Sequence, residues 1–317
     1  MLSSEEIFER LFACPHPRMC RQYFQSIPRE DLLNVIGLHI LSKSVLDDNK
    51  EPDAVIEALP EPARKAYLIQ VIDLYAGTDG IEAFLHYRRK DWKQTAEALK
   101  AIARKDHHDL FVSISLEYCR LHPEGRRMLD RGNKIEEVIQ TDFDTLWMDP
   151  ESESESDNAC CEFPEHWNEK WYAAADEILE LTRDYVIQNE EAFIDSPEEL
   201  AISDWLGEPK TYFDSTEVHW RCMDLLQSVD RQTEELDRES EIKRLLELAE
   251  EYIKGENNRE AEAVLLTANG YCSGLFDMAS NKVYHDMLSL YAELLKNSGR
   301  HHSAAAVRHR LALCRGD

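Results

Sequence analysis

Apolar residues recur at three- and four-residue spacing along nearly the whole chain, and this period constrains the fold more than any other feature. It is clear in "REDLLNVIGLHILSKSVL" (29–46), "PARKAYLIQVIDLYA" (62–76) and "DHHDLFVSISLEYCRLH" (106–122). A period near 3.6 is typical of amphipathic helices, whereas half-buried strands alternate with a period of two. No segment of the sequence combines that alternation with the Gly and Asn turns of a sheet. The sequence therefore predicts an all-α fold.

Changes in composition divide the chain into a larger and a smaller part. Residues 1–195 are predicted to form one acidic helical domain, interrupted at 149–166 by the exposed acidic loop "DPESESESDNACCEFPEH". Acids, serines and two prolines with few apolar groups cannot support a packed core. Residues 196–216 contain two prolines and a glycine and are expected to be a connection with one short helix. Residues 217–317 are predicted to form a smaller domain of helical hairpins.

The N-terminus shows no sign of an export signal. "MLSSEEIFERLF" carries acids where a signal peptide has basic residues, and no segment has the roughly 18 apolar residues of a membrane span. A cytoplasmic protein with reduced thiols is therefore expected despite the eight cysteines. Two clusters could suggest a metal, but neither has the paired C-x-x-C spacing of structural zinc sites, so neither a metal nor a cofactor is predicted. The clusters are Cys14, His16 and Cys20 in one case and Cys160, Cys161 and His166 in the other.

Negative charge is concentrated in one part of the sequence. The formal net charge is −27, from 63 acids against 36 Lys and Arg. Between residues 149 and 217 there are 21 acids and only three Lys or Arg. Because nucleic acids and anionic membranes are bound by clustered Lys and Arg, direct binding to either is not expected. The negative electrostatic field of these acids favours a basic protein as partner. Alternatively, the charge only keeps the protein soluble. A homodimer is left open.

The segment "WNEKWYAAADEILELTRDYVIQNEEAFI" (167–194) predicts a long helix with one strongly acidic face. At 100° per residue its acids fall within about 80° of Glu169, whereas Trp171 and Ile178 lie on the other side. Most such faces are simply solvated, but solvent-facing helices usually mix both signs because acids four residues apart repel. A solvated face and a partner-binding face both stay open. The partner-binding candidates are Glu169, Asp176, Glu177, Glu180, Asp184 and Glu191, extended by Glu151, Glu153, Glu155 and Asp157 in the acidic loop.

Two glycines lie close together in "YAGTDGIEAFLHY" (75–87), in a chain that has only 11 glycines. Glycine is usual where the backbone needs a positive φ or passes close to another segment. Gly77 and Gly80 are therefore expected to turn the chain between two core helices. Asp79 lies within this corner, and Phe84 and Tyr87 add aromatic side chains after it.

The order of features between residues 55 and 195 resembles the acidic bacterial DNA-mimic protein domain family. "ALPEPARKAYLIQVIDLYAGTDGIEAFLHY" is similar to the helix, corner and short aromatic helix of that family, although Thr78 and Asp79 stand where the family has Asn and Gly. "TAEALKAIARKDHHDLFVSISLEYC" looks like its next helix pair, and "IQTDFDTLWMD" with the acidic helix is similar to its closing element. The resemblance implies a protein that presents carboxylates in place of DNA phosphates. Its partner would be a transcription factor or a nuclease.

A second resemblance implies a different function. "LSLYAELLKNSGRHHSAAAVRHRLAL" (288–313) resembles a tetratricopeptide helical hairpin, with Gly299 at the turn and small residues in the second helix. This resemblance implies a helical scaffold or adaptor that binds a protein or peptide through its C-terminal hairpins.

An enzyme is the third alternative, and the common catalytic motifs are missing from the sequence. The one notable cluster is "DHHD" (106–109). Adjacent histidines on a helix diverge by about 100°, so they are not predicted to share a metal. Asp106 is instead predicted to be a helix N-cap. We expect a protein without catalytic activity.

Overall fold

The structure, a computed structural model, describes residues 2–13, 17–46, 56–130, 163–227, 238–275 and 277–316. These residues form 15 α-helices and contain no β-strand, which confirms the predicted all-α class. None of the described helices is long and apolar enough to cross a membrane. The helices are α1 (Ser4–Ala13), α2 (Arg21–Ser26), α3 (Leu32–Leu46), α4 (Glu61–Asp79), α5 (Ile81–Tyr87), α6 (Trp92–Ile102), α7 (Lys105–Leu121), α8 (Pro123–Asp130), α9 (His166–Gln188), α10 (Pro197–Leu206), α11 (Thr216–Gln227), α12 (Arg238–Lys254), α13 (Asn258–Cys272), α14 (Lys282–Asn297) and α15 (His301–Arg315).

The chain forms two compact units, each made of segments that are separate in sequence. Unit A comprises Pro28–Ile40 and Glu51–Phe193, and unit B comprises Met1–Ile27, Leu41–Lys50 and Ile194–Asp317. The first 27 residues therefore group with the C-terminal third of the chain. The domain boundaries predicted from the sequence assign these 27 residues to the same domain as the residues up to 195, and they stay a prediction.

Unit A is built around α4 and α9. Helix α4 packs against α5, α6 and α9, and α9 also contacts α6 and α7. Its largest fully buried side chains are Trp92, Tyr118 and Trp171. Trp92 and Tyr118 meet edge to face, with 5.7 Å between their ring centroids. These large apolar groups come from α6, α7 and α9, so they tie the three helices to one core.

Unit B has one hydrophobic core to which the N-terminal helix contributes. Helices α12 and α13 form one hairpin, α14 and α15 form a second, and α13 packs against α14. Ile7 and Leu11 of α1 belong to the same core as Leu265 and Met287, and α1 packs against α15. Helix α12 ends at Lys254, directly before Gly255, and α14 ends at Asn297, two residues before Gly299, which was predicted at the turn. Burial of α1 in this core explains why residues 1–27 belong to unit B.

Hydrogen bonds at helix starts confirm one predicted cap and correct another. The Ser3 N–H donates to the Glu6 carboxylate at 2.7 Å, and the Glu6 N–H donates to Ser3 Oγ at 3.2 Å. This is a capping box at the start of α1, as the spacing Ser3-x-x-Glu6 in the sequence also predicts. The N-cap predicted at Asp106 is wrong, because α7 begins at Lys105. Arg104 is the N-cap, and its extended backbone (φ −86°, ψ 163°) is typical of that position.

Candidate functional site

Helix α9 carries the acidic face predicted from the sequence, and buried side chains on its other side orient it. Trp171 and Ile178 are each 1% exposed. Thr182 is fully buried and donates its hydroxyl to the Ile178 carbonyl at 2.7 Å, so its polar group is satisfied within the helix. Tyr172 donates to the carbonyl of Ala76 in α4 at 2.6 Å. These contacts hold α9 against the rest of unit A, so that its acids lie at the surface.

Glu177, Glu180 and Asp184 of α9 are paired with cations from other parts of unit A. A Glu177 oxygen lies 2.9 Å from a guanidinium nitrogen of Arg104. Arg29 lies 2.9 Å from Glu180 and 2.8 Å from Asp184. A projection of α9 alone cannot show these cations, because both arginines belong to segments distant in sequence.

The paired carboxylates remain at the surface. The side chains of Glu180 and Asp184 are 56% and 54% exposed. Exposed ion pairs contribute only about 0–1 kcal/mol to stability. The hydrogen bond from Arg29 lowers the pKa of Glu180, which therefore stays ionised. Pairing thus offsets part of the charge of this face without burying it.

Glu169 and Asp176 differ from these acids, because neither forms an ion pair with a residue that the structure describes. Both are exposed. Asp73 of α4 is close to Asp176: burial raises the pKa of Asp73, and the negative charge of Asp176 raises it further, against the opposing effect of Arg183. Carboxylates from two helices are therefore neighbours here. Asp73 was not predicted from the sequence, because a single acid in an amphipathic helix such as α4 has the spacing of an ordinary solvent-facing residue.

The other candidate acids lie apart from this group. Glu191 is exposed in the 3₁₀ segment Glu190–Ala192 that follows α9. Within the described ranges, no group of three or more His, Cys, Asp or Glu is arranged to hold a metal ion. The residues of the sequence predictions that fall outside the described ranges are Glu151, Glu153, Glu155, Asp157, Cys14, His16, Cys160 and Cys161.

The corner between α4 and α5 depends on Gly80. Helix α4 continues through Gly77 to Asp79, and Gly80 then adopts φ 84° and ψ 161°. Phe84 is fully buried, whereas Tyr87 is 69% exposed. Gly80 therefore turns the chain into the core of unit A, whereas Gly77, which was predicted to share this turn, lies inside α4.

A second acidic surface lies in unit B, in a groove between α12 and α14. Leu246 and Leu290 form the apolar part of this groove. Glu247, Asp286 and Glu293 also line it, and they are exposed. None of these three carboxylates is ion-paired with any residue in the described ranges. The groove therefore complements a basic segment that carries an apolar side chain.

Unit B also contains a cavity of about 340 Å³. Its inner wall includes Leu11, Tyr23 and Val218, each less than 10% exposed, and the fully buried Tyr291. The exposed lining residues are Thr211, Ser215, His219 and Arg259. The cavity therefore has a buried inner wall and exposed polar residues at its opening.

Charged groups in the cavity wall are largely satisfied. Arg300 lies 2.6 Å from the carboxylate of Glu262, and the Tyr291 hydroxyl donates to the same carboxylate at 2.9 Å. Glu208 accepts a hydrogen bond from the Arg18 N–H, while burial raises the pKa of Glu208 and so disfavours its charged form. The sequence analysis did not identify this cavity, because its lining comes from segments that are separate in sequence.

No protein-family model matches the chain. No curated protein is significantly similar to it. No solved structure matches its fold significantly. The resemblances to the DNA-mimic and tetratricopeptide families therefore stay predictions, and the function has to be argued from the surfaces themselves.

Proposed function

We propose that this chain is a non-catalytic interaction protein that binds a basic protein through an acidic surface of unit A, in the manner of a DNA mimic. The observation that carries the proposal is that three carboxylates of α9 and the adjoining α4, Glu169, Asp176 and Asp73, have no ion pair with a described residue, and that the last two are neighbours. Such carboxylates attract the Lys and Arg side chains that otherwise contact DNA phosphates. The partner is a DNA-binding regulator or a nuclease.

Glu177, Glu180 and Asp184 have a secondary role in this proposal. Their carboxylates already accept from Arg29 and Arg104, so contact with a partner's cation there exchanges one ion pair for another. We expect them to contribute to long-range attraction, which depends on the summed charge, more than to the contacts of the bound complex.

The first test is the capture of partners from a cell lysate on the immobilised full chain at about 50 mM and about 500 mM salt, a range over which exposed charges become screened. A DNA-binding regulator or nuclease should be retained at low salt and released by high salt. It should also be released by added duplex DNA, because DNA and the mimic occupy the same basic surface. A captured protein that duplex DNA does not displace would contradict mimicry.

A second candidate function is that of a helical scaffold that binds a peptide segment in the groove between α12 and α14. The combination of Leu246 and Leu290 with three carboxylates that lack ion pairs among the described residues favours this candidate. The segment it fits is basic with an apolar side chain, laid along the groove.

Two double variants separate these candidates because they change the net charge equally. E169Q/D176N alters the surface of unit A, and E247Q/E293Q alters the groove of unit B; each removes two negative charges. Loss of the captured protein only with the first variant supports mimicry, and loss only with the second supports the scaffold. Equal weakening by both would show that total charge alone attracts the partner, which contradicts both sites. Circular dichroism controls for folding.

A further inference from the structure

The cavity of unit B holds positive charge of its own in an otherwise acidic chain. The Glu262 carboxylate in its wall is satisfied by its neighbours, and burial raises the pKa of Glu208. Arg10 and Arg259 line the same cavity, and neither forms an ion pair with a described carboxylate, although Arg10 acts electrostatically on Glu6. Because acids outnumber Lys and Arg by 63 to 36, two such arginines at one cavity point to a ligand that supplies the negative charge.

A tyrosine hydroxyl in the same cavity adds a directional donor. Tyr23 lines the cavity and is 4% exposed, and its hydroxyl has no hydrogen-bond partner in the part of the chain that the structure describes. Burial raises the pKa of Tyr23 to about 12, so the hydroxyl is protonated at neutral pH and can donate. The hydroxyl oxygen is not among the fully buried side-chain atoms that lack a partner, so it is accessible and can donate to an acceptor oxygen of a ligand.

Arg259 is held in place at the opening of the cavity. Its guanidinium donates to the Thr211 hydroxyl at 2.7 Å. A guanidinium has five N–H donors in a planar fork, so this contact and the same group's 3.5 Å contact to the Tyr212 carbonyl leave donors for a ligand. Two parallel N–H groups match the geometry of a carboxylate or a phosphate.

We propose that this cavity binds a small organic anion, with a carboxylate or phosphate group on an apolar body of about the size of one ring. Arg259 and Arg10 hold the oxyanion, and Leu11, Phe213 and Val218 contact the body. The volume of about 340 Å³ lies within the range of about 300–1,000 Å³ that is usual for small-molecule sites. This site shares no residue with the two acidic surfaces, so it goes beyond the proposed function and does not depend on it.

The test is isothermal titration calorimetry of the full chain with three probes of similar size: phenylacetate, phenyl phosphate and the neutral phenylacetamide. At least one anion should bind saturably. The amide should bind at least about ten-fold more weakly than that anion, because charge-assisted hydrogen bonds are lost. The tighter anion identifies the group that the site prefers. The proposal is overturned if the amide binds as tightly as the anions, or if neither anion binds saturably at concentrations up to a few millimolar.

Point variants locate the binding. R259Q and R10Q should each weaken anion binding about ten-fold or more. The matched control R308Q removes the same charge from an exposed residue of α15 that does not line the cavity, and it should bind like the wild type. Y23F deletes only a hydroxyl and should weaken binding about two- to ten-fold. Equal affinities of R259Q, R10Q and R308Q would overturn the assignment, and Y23F keeps the test decisive if an arginine variant does not fold.

Discussion

Replacing Gly80 by alanine should destabilise unit A, whereas the same replacement at Gly77 should stabilise it. Gly80 joins α4 to α5 with φ 84° and ψ 161°, a backbone region that is essentially restricted to glycine and costs other residues about 1–3 kcal/mol. Gly77 lies inside α4, is exposed, and has nothing within 4 Å of the position that a Cβ atom would take. The two substitutions are therefore chemically identical but opposite in sign.

The loss of stability expected from Gly80→Ala includes the cost of a close contact with Asn168. A Cβ atom there would lie 3.1 Å from Asn168 Oδ1, the atom that accepts the Ile81 N–H at 3.0 Å. Displacing this amide weakens a hydrogen bond worth about 0.5–1.5 kcal/mol. With the backbone strain added, Gly80→Ala should lower the free energy of unfolding by about 2–4 kcal/mol. Gly77→Ala should raise it by about 0.5–1 kcal/mol, since alanine is favoured over glycine in a helix interior.

Urea unfolding, followed by far-UV circular dichroism and tryptophan fluorescence, measures both effects. If the two units unfold in separate transitions, both substitutions should act on the same transition. Gly80→Ala should move its midpoint to a lower urea concentration, and Gly77→Ala should move it to a higher one. Gly80→Asn should destabilise about as much as Gly80→Ala, because Asn tolerates left-handed helical backbone but not this extended ψ. An unfolding free energy of Gly80→Ala within about 0.5 kcal/mol of the wild type would refute the reasoning.

Three further predictions concern other described groups. Because burial and a neighbouring carboxylate raise the folded-state pKa of Asp73, its contribution to stability is complete below the ordinary Asp pKa and declines as the pH rises through the raised value. Asp73→Asn should remove that decline in melting temperatures recorded across a pH series; parallel curves for variant and wild type would contradict the shift. Tyr291→Phe takes a buried hydroxyl from the Glu262 carboxylate and should lower the unfolding free energy by about 1–3 kcal/mol in urea, and an unchanged midpoint would argue against this hydrogen bond. Burial raises the pKa of Cys119 to about 12, so iodoacetamide at neutral pH should alkylate the partly exposed Cys20 before Cys119, as peptide mass spectrometry would show; the reverse order would count against the burial of Cys119.

Features set by neighbouring residues were predictable from the sequence. The helical period of the apolar residues, the capping box of Ser3 and Glu6 and the turn at Gly80 all depend on positions a few residues apart. Two positions in these segments differ from the prediction. Gly77 lies within α4 rather than in the turn, and the first turn of α7 begins before Asp106. Helix ends are the least sharply encoded part of a periodic pattern, since a turn more or less changes few contacts.

The candidate sites depended more on tertiary structure. The sequence identified the acids of α9 but not the cation that pairs with two of them, because Arg29 lies 151 residues from Glu180. It also gave no sign of Asp73, whose position beside Asp176 follows from the packing of α4 on α9. Asp73 has the same spacing to its neighbours as many solvent-facing acids, so only its surroundings in the folded chain distinguish it.

By itself, the sequence determined the all-α class and the concentration of acid between residues 149 and 217. Each of these is a matter of local spacing or composition. Only the tertiary structure decided which carboxylates have a cation beside them, that α1 joins the core of unit B, and where a cavity with two arginines forms. The physical reason is that ion pairs, buried cores and cavities are made by side chains that folding brings together from distant parts of the chain.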